Sequence, residues 1–596
     1  MWLAGLLASV GILCLFVAIS ISVNKSNYTK HHSFNLFNAL FIGVLISSIT
    51  MFYPIHYVLE ESSGYGVCRA ILLSIFNSIQ IFAGGCEFAV IREGLELCPS
   101  GINIIYQIWA AILLVLAPIF TFGFVLSLFK NLSANVKYVA SFFNDVYIFS
   151  ELNEKSLVLA KDIKSNNKDS VIVFTDVFEA NEESSFELIE ESKKLRAICF
   201  KNDVLAVNFN KHSSKRAISF FTIGANETEN LNQALKLLEK FKNRENTNLY
   251  VFSTNVESEL LLSSTEHSAV KVRRVNEVRS LINRILYEKG NIIFDSARDN
   301  GSGAKDISAI VIGMGRHGTE MVKALSWYGQ MDGYNLEINA FDKDSLAKEK
   351  FMALAPELMS EDYNGVIVEG EAQYKIDIHS GLDVDTVSFV KEISKINNAT
   401  YVLVALGNDE VNIKTAVNLR MYFERMKIHP VIQAIVYNSQ QKRALSGVKN
   451  FKGQEYDIDF IGDMESSYVV DVIIDSELEE DALKRHLKWG EEKDFWNYEY
   501  NYRSSVASAI HMKARIECKI PGADKNTDEL TQKEKHIIEV LEHKRWNAYM
   551  RAEGYVFSGS TDKSSRNDLA KMHHDLVDFS SLTEEEKRKD SRVGTK

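Results

Sequence analysis

The stretch IVIGMGRHG, residues 310–318, decides the fold of the larger part of this chain. Three β-branched residues predict a short buried strand. The glycines that follow are spaced GxGxxG, and a helical pattern begins at residue 319. In such a turn the first glycine permits a sharp bend, the second lets a pyrophosphate approach the backbone, and the third lets helix and strand pack closely. The N-terminus of the helix would face the phosphates.

The following strand supports this interpretation. The sequence predicts a second strand at Leu336–Phe341, which ends at Asp342, 24 residues after Gly318, where an acid can bind ribose hydroxyls. We therefore expect a Rossmann-type α/β domain over residues 305–475. Its candidate nucleotide-binding residues are Gly313, Gly315, Arg316, His317, Gly318 and Asp342. Other interpretations stay open: the glycines serve packing alone, Asp342 only begins a turn, and the two basic residues are solvated.

An earlier part of the chain, residues 140–295, repeats the pattern in degenerate form. A strand at 146–149 leads into SELNEKS, residues 150–156, which contains no glycine. Side chains there would crowd the place where a backbone must approach phosphate. Later, GANETEN at 224–230 resembles GNDEVN at 407–412, and each follows an apolar run. We expect a second Rossmann-like domain without the usual pyrophosphate site.

The first 129 residues differ sharply in composition. They contain nine charged residues, whereas the remaining 467 contain 137. Four apolar stretches in this part are long enough to cross a bilayer core of about 30 Å. They are Trp2–Val23, Leu36–Leu59, Ala70–Ile91 and Ile104–Leu128. The pattern predicts a four-helix transmembrane domain over residues 1–135. Lys/Arg bias does not decide the orientation, and the nucleotide-fold interpretation places residues 130–596 in the cytosol.

The third apolar stretch carries polar and small residues on one helical face. They are Ser74, Asn77, Gln80, Gly84 and Glu87. In an oligomer this face would line a pore, with the carboxylate attracting cations. Alternatively it is a helix-packing face, in which the glycine lets helices approach closely.

Charge and motif content exclude several functions. The net charge is −12, of which −11 lies after residue 129. A general basic surface that binds the phosphates of nucleic acid is therefore not expected. The six cysteines show no CxxC spacing, so no metal site is expected. Neither GxSxG nor HExxH occurs, and no catalytic residue is assigned. An enzyme is less favoured than a binding protein.

These motifs resemble known families. One resemblance is to the RCK domain (regulator of potassium conductance, TrkA-N-like), which binds nucleotides beneath channels and transporters. It rests on the order of three features: the GxGxxG turn, the acidic residue at the end of the next strand, and a later strand that leads into GNDEVN. The closing stretch resembles the RyR domain, named for ryanodine receptors, through LEHKRWNAY at 541–549, GY at 554–555 and KMHHDLV at 571–577. In bacterial proteins this domain is fused to NAD-binding-like domains, and the resemblance implies nucleotide sensing.

The RyR-like part offers a second candidate ligand site. Arg545 stands beside Trp546, and cationic donors next to aromatic faces suit a phosphate with a stacked base. The candidate residues are Arg503, His511, His543, Arg545, Trp546, Lys571 and His573. The alternative is that the aromatic residues form a small core and the basic residues are solvated.

The sequence thus predicts a multidomain protein: an α-helical transmembrane domain, tandem RCK-like Rossmann domains, a helical connector over residues 476–525, and a small α-helical RyR-like domain over 526–596. The resemblance implies a nucleotide-sensing effector of the bacterial inner (cytoplasmic) membrane, either a ligand-gated ion channel or a membrane-disrupting protein, and a candidate for anti-phage defence. NAD(H) or another nucleotide, cyclic or linear, is the expected ligand. A homo-oligomer, with a tetramer favoured, is expected. The alternatives are a membrane-anchored NAD(P)-dependent enzyme and a regulatory subunit of a separate ion transporter.

Overall fold

A computed structural model describes most of the chain. The described residues are 1–25, 36–60, 66–85, 88–177, 183–210, 212–263, 269–366, 368–445, 447 and 449–595. They divide into two compact units. The first contains Met1–Phe142 and Ile198–Asp203, and the second contains Phe143–Ala197 and Val204–Lys596.

The first unit is built mainly from helices. They are α1 (Trp2–Lys25), α2 (Leu36–Glu60), α3 (Gly66–Phe82), α4 (Phe88–Glu96) and α5 (Ser100–Ala140). Among the described residues, Leu40–Glu60 and Ser100–Phe122 are long and apolar enough to cross a membrane. Trp2–Ala18 and Gly66–Phe82 are shorter apolar helices.

The third predicted span is interrupted by glycine. Gly84 has a φ of +79°, in the left-handed region. The Gly85 amide donates to Gln80 O at 2.9 Å, which closes a Schellman turn after α3. This corrects the expectation of one continuous helix over Ala70–Ile91. Gln80 is partly buried, Gly84 is exposed in the turn, and Glu87 lies outside the described residues.

The polar face of α3 lies inside the helical unit. Ser74 and Asn77 are buried, and Asn77 Nδ2 lies 2.7 Å from His56 Nε2 of α2. The opposite face is exposed and apolar, and so is much of α5. Exposed residues of α3 include Val67, Ile71, Leu72, Ile75, Phe76 and Ile79. An apolar surface of this extent is uncommon on soluble monomers and fits contact with lipid.

The second unit contains two parallel sheets. The strands of the first are β1 (Val146–Phe149), β2 (Val171–Phe174), β4 (Ile218–Thr222), β5 (Thr247–Phe252) and β6 (Val270–Val275); the short β3 (Ile198–Cys199) belongs to the first unit. Their spatial order is β2-β1-β4-β5-β6, and every pair is parallel. The helices are α6 (Glu154–Asn166), α7 (Glu183–Lys194), α8 (Glu227–Phe241), α9 (Val256–Ser263), α10 (Glu277–Lys289) and α11 (Asn291–Asp295).

The second sheet repeats this arrangement. Its strands are β7 (Arg298–Asp299), β8 (Lys305–Ile312), β9 (Tyr334–Asp342), β10 (Lys375–Ser380), β11 (Tyr401–Val404), β12 (Val431–Ile435) and β13 (Ile458–Ile461). The order is β10-β9-β8-β11-β12-β13, with β7 antiparallel to β8 at one end. The helices are α12 (Arg316–Tyr328), α13 (Ala347–Leu354), α14 (Val387–Ile393), α15 (Asp409–Arg425), α16 (Ser439–Leu445), α17 (Met464–Ser467) and α18 (Val470–Ile473), with a 3₁₀ turn at Glu357–Met359. The predicted parallel-sheet α/β architecture is confirmed.

The strand order places a crevice at the glycine turn. After β8 the chain adds β9 and β10 on one side, and then crosses to add β11 on the other. Ligands of open parallel sheets bind where the strand order reverses, outside the carboxyl ends of the strands. The turn after β8 lies at that position.

The C-terminal part is mainly helical and shares a core with the second sheet. Its helices are α19 (Glu477–His486), α20 (Glu492–Asn497), α21 (Glu499–Glu517), α22 (Gln532–Ala552) and α23 (Glu584–Gly594). Short strands β14 (Val556–Phe557) and β15 (Met572–His573) pair, and 3₁₀ turns lie at Thr527–Glu529, Lys563–Ser565 and Phe579–Ser581. Helix α22 packs on α12, where the rings of Trp327 and Tyr549 meet edge to face, 6.2 Å apart. Both belong to one continuous apolar core.

This shared core predicts the effect of a substitution. Trp327→Ala removes a buried ring between α12 and α22, and should lower the free energy of unfolding by about 3–5 kcal/mol. Urea unfolding of the purified full-length protein, followed by circular dichroism, measures the change. Phe186→Ala, at an exposed ring of α7, is the control and should have little effect. Equal stability of the two variants would contradict the shared core.

Candidate functional site

The glycine turn has the geometry that its spacing predicts. Gly313 has a φ of +96°, and its amide donates to Phe341 O at 2.8 Å. A Cβ on Gly318 would lie 1.7 Å from Gly313 O, so only glycine lets α12 pack this closely. A Cβ on Gly315 would meet nothing within 4 Å. The backbone of Gly315 is therefore open at the N-terminus of α12.

The carboxylate of Asp342 organises this turn. Asp342 Oδ2 accepts the Met314 amide at 2.6 Å, and Oδ1 accepts the Asp344 amide at 2.7 Å. The carboxylate therefore fixes the backbone of Met314 in the glycine turn and that of Asp344 in the turn that follows β9. A carboxylate oxygen accepts more than one hydrogen bond, so Asp342 has the capacity to accept a ribose hydroxyl as well.

The two basic residues of the turn differ in environment. The Arg316 side chain is 68% exposed, and its Nη1 donates to Thr254 Oγ1 of the first α/β domain at 3.1 Å. His317 lies 3.0 Å from the Tyr437 hydroxyl through Nε2. Burial, assisted by the charge of Arg316, lowers the pKa of His317. The imidazole is thus neutral near pH 7, and Arg316 is the cation of the turn that is exposed enough to reach a phosphate.

A cavity of about 540 Å³ lies beside the turn. Gly315, Arg316 and Asp342 line it from the second α/β domain, and Thr254 and Asn276 are among the residues that line it from the first. Its volume is in the range of small-molecule and cofactor sites. The structure therefore brings the open glycine, the arginine and the acid of the predicted nucleotide site to one cavity. His317 instead lines a separate cavity with Tyr437.

The corresponding turn of the first α/β domain is closed by side chains. Asn153 caps α6 by accepting the Ser156 amide at 2.9 Å. A Cβ on Gly224 would lie 2.8 Å from Glu151 Oε2. A carboxylate thus stands near the place where phosphate would approach in this domain.

A second cavity, of about 530 Å³, lies in the C-terminal part. Four of the residues that the sequence indicated line it: His543, Arg545, Trp546 and His573. The sequence did not predict that α21 forms one wall of this cavity, through residues that include Asn501, Ser504, Ser505 and Ser508. It also missed Arg566 and, on α23, Arg592. Small polar residues on a long helix give no signal until the fold shows what faces them.

The other three candidates lie elsewhere and hold the fold together. Arg503 pairs with Glu259 and with Glu553. His511 is fully buried with Nε2 2.7 Å from Gln330 O, and burial and Arg515 hold its pKa well below its usual range. Lys571 Nζ donates to the Glu553 carbonyl at 2.7 Å. None of the three lines the C-terminal cavity.

Three neighbouring residues have atoms suited to a metal. One donor atom from each of His573, His574 and Asp575 lies within 4.8 Å of the others. The two rings, however, stack at 10° with centroids 4.7 Å apart, and His573 Nδ1 accepts the Asp575 amide. Imidazole lone pairs lie in the ring plane, so parallel rings do not converge on one ion. We assign no metal to this cluster.

No family model matches the chain, and no curated protein is significantly similar to it.

The glycine turn predicts opposite effects for two similar substitutions. Gly318→Ala should destabilise the protein by about 1–3 kcal/mol or more, because its Cβ collides with Gly313 O. Gly315→Ala should change stability by no more than about 0.5 kcal/mol, because space and backbone conformation both accept it. It should nevertheless weaken nucleotide binding, because the new methyl group stands where phosphate approaches. Urea unfolding and calorimetric titration with nucleotides measure the two effects; a destabilised Gly315→Ala would count against this geometry.

Low pH should lower the folding stability of the C-terminal part, because His573 is buried in its neutral form. Burial, with Arg566 nearby, lowers the pKa of His573 from 6.5 to about 3. Between these pH values the unfolded imidazole binds a proton that the folded one does not. Stability therefore falls with falling pH, by about 1.4 kcal/mol per pH unit from this group. His573→Gln should show a correspondingly shallower loss in unfolding experiments from pH 7 to pH 4. Parallel pH profiles for the two proteins would contradict this assignment.

Proposed function

We propose that this chain is a nucleotide-sensing membrane effector, acting as a ligand-gated ion channel or by disrupting the membrane. The observation that carries the proposal is the open backbone of Gly315 at the N-terminus of α12, beside a 540 Å³ cavity. Backbone amides and the helix dipole at such a place favour a phosphate. The cavity takes walls from both α/β domains, so a ligand there contacts both.

The fold supports the assignment of tandem Rossmann-type, RCK-like domains. Apart from the short β7, both sheets are parallel. The order β2-β1-β4-β5-β6 of the first corresponds to β9-β8-β11-β12-β13 of the second, and the glycine turn lies where the order reverses. NAD(H) or another nucleotide is the ligand class that this turn suits. The C-terminal helices form the RyR-like part, with a second cavity of their own.

The membrane assignment is supported by the first unit. Its helices bury Ser74 and Asn77 inside and expose apolar side chains outside. We place the first unit in a bacterial inner membrane and residues 130–596 in the cytosol. Assembly as a tetramer would bring several such units together. A ligand can bias the helices between closed and open arrangements only if it binds the two states with different affinity.

Two other functions remain as alternatives. A membrane-anchored NAD(P)-dependent enzyme would use the glycine turn for a cofactor and would turn over a substrate. A regulatory subunit would bind nucleotide and require a separate transport protein. A role in anti-phage defence follows from resemblance alone and would be tested by infection of cells that carry the gene.

Ion flux from liposomes containing the purified protein distinguishes these functions. Flux is expected on addition of one member of a panel of NAD-type, linear and cyclic nucleotides. Gly315→Ala should raise the nucleotide concentration needed for flux by about tenfold or more, because its methyl group occupies the place where a phosphate would approach the backbone. Glu87→Gln should alter conductance if that carboxylate faces a pore.

The control for these measurements is Gly333→Ala, at a turn that does not line the cavity; because Gly333 has a φ of +79°, its methyl group strains the backbone, and the variant tests whether lost stability alone weakens binding. Nucleotide binding without flux would contradict an autonomous channel and favour a partner-dependent subunit. Nicotinamide turnover without flux would favour the enzyme.

A further inference from the structure

Four charged side chains are buried together in the C-terminal part. Arg485, Arg515 and Arg545 surround the single carboxylate of Glu542, and each is less than 7% exposed. Arg515 Nη2 donates to Glu542 Oε2, and Arg545 Nη2 donates to Glu542 Oε1 at 2.7 Å. Burial alone would raise the pKa of Glu542, but the arginines hold it well below its usual range. We call these four residues the arginine cluster.

The arginine cluster carries more positive than negative charge. Arg485 Nη1 donates to Thr595 O at 2.9 Å, and Arg515 Nη1 donates to Gly594 O at 3.1 Å. Carbonyl groups satisfy hydrogen bonds without neutralising charge. A second carboxylate in this region, Asp590, lies 3.5 Å from His543 Nδ1 and also interacts electrostatically with Arg515 and Arg545, which leaves three guanidinium groups against two carboxylates. Burial and the neighbouring arginines lower the pKa of Arg485 to about 10. Such a cluster is stabilised by an anion.

The C-terminal cavity reaches this cluster. Arg545 and Glu542 both line it. Among the described residues, Arg545 Nη1 has no hydrogen-bond partner although it is buried, and the same holds for Nδ1 of His574 on the cavity wall. Buried polar atoms are almost always paired in native proteins, so the orphaned guanidinium N–H of Arg545 beside a cavity indicates a ligand that accepts hydrogen bonds.

The remaining walls offer further donors. Helix α21 places Ser504 on the wall; of its neighbours there, Asn501 Nδ2 donates to Asp494 O at 3.2 Å and Ser505 Oγ lies 3.4 Å from His486 Nδ1. Arg592 of α23 is exposed at the wall and forms no ion pair with any described residue. The acids at the wall are largely engaged: Glu586, for example, pairs with Lys589 at 2.8 Å. Trp546 supplies an apolar face.

We propose that the C-terminal cavity binds a phosphate ester of nucleotide size, with its phosphate near Arg545 and its aromatic part against Trp546. This proposal rests on the proposed function and deepens it, because it gives the chain two separate ligand sites. The residues that line the C-terminal cavity and those that line the glycine-turn cavity do not overlap. The two sites can therefore be removed independently.

Calorimetric titration of the full-length protein in detergent tests the proposal, with pyrophosphate, adenosine monophosphate and adenosine triphosphate as probes. Arg592→Ala should weaken binding of at least one probe by about tenfold, the loss of one charge-assisted contact. Arg588→Ala is the matched control, because it makes the same change one turn earlier on α23 and does not line the cavity. Both arginine variants are made in the Gly315→Ala background, because that substitution weakens binding at the glycine turn and leaves the C-terminal cavity as the site under test.

Each result of the titration decides for or against a ligand site in the C-terminal cavity. In the Gly315→Ala background, weaker binding in Arg592→Ala with unchanged binding in Arg588→Ala supports the proposal. Equal weakening in both arginine variants would show a general charge effect and overturn it. Equal binding by Gly315→Ala with and without Arg592→Ala, or no binding of any probe in the Gly315→Ala background, would also overturn it. The titration does not depend on ion flux. A protein that binds the probe but conducts no ions would therefore contradict the proposed channel function and still support the ligand site in the C-terminal cavity.

Discussion

Glu553 is the point at which the parts of the second unit meet. Its carboxylate, mostly buried, lies 3.1 Å from Arg279 Nη2, 3.2 Å from Arg503 Nη1 and 3.7 Å from Lys323 Nζ. These cations come from the first α/β domain, from α21 and from α12. Burial alone would raise the pKa of Glu553, but the three cations hold it well below its usual range. Since a buried charge that loses a partner is costly, the four elements are constrained to keep their relative positions.

This constraint connects the glycine turn to the C-terminal cavity. Lys323 lies on α12, which begins at the turn, and Arg503 lies on α21, which supplies the serine wall of the cavity. Glu553 directly follows α22, the helix that carries Arg545. The C-terminal helical part is thus integrated with the second α/β domain. It shares both an apolar core and an ionic centre with the sheet that bears the glycine turn.

The sequence predicts those features that local pattern determines. The strand, turn and helix at 310–318 follow from β-branched residues and three glycines, and the repeat follows from similar runs at 224–230 and 407–412. Features that depend on distant partners escape it. Arg503 and His511 share a helical face and suggested a ligand site, yet tertiary packing uses them for Glu553 and Gln330. The serines of α21 became informative only when the fold placed them opposite Arg545.

A sensor of this kind requires that nucleotide binding in the second unit changes the helices of the first. Hydrogen exchange of the full-length protein in lipid nanodiscs, with and without nucleotide, tests this requirement most directly. The proposed function predicts slower exchange at residues 313–318, together with altered exchange in α2 and α3, where Asn77 meets His56. Protection at the glycine turn with unchanged exchange in every helix of the first unit would contradict it.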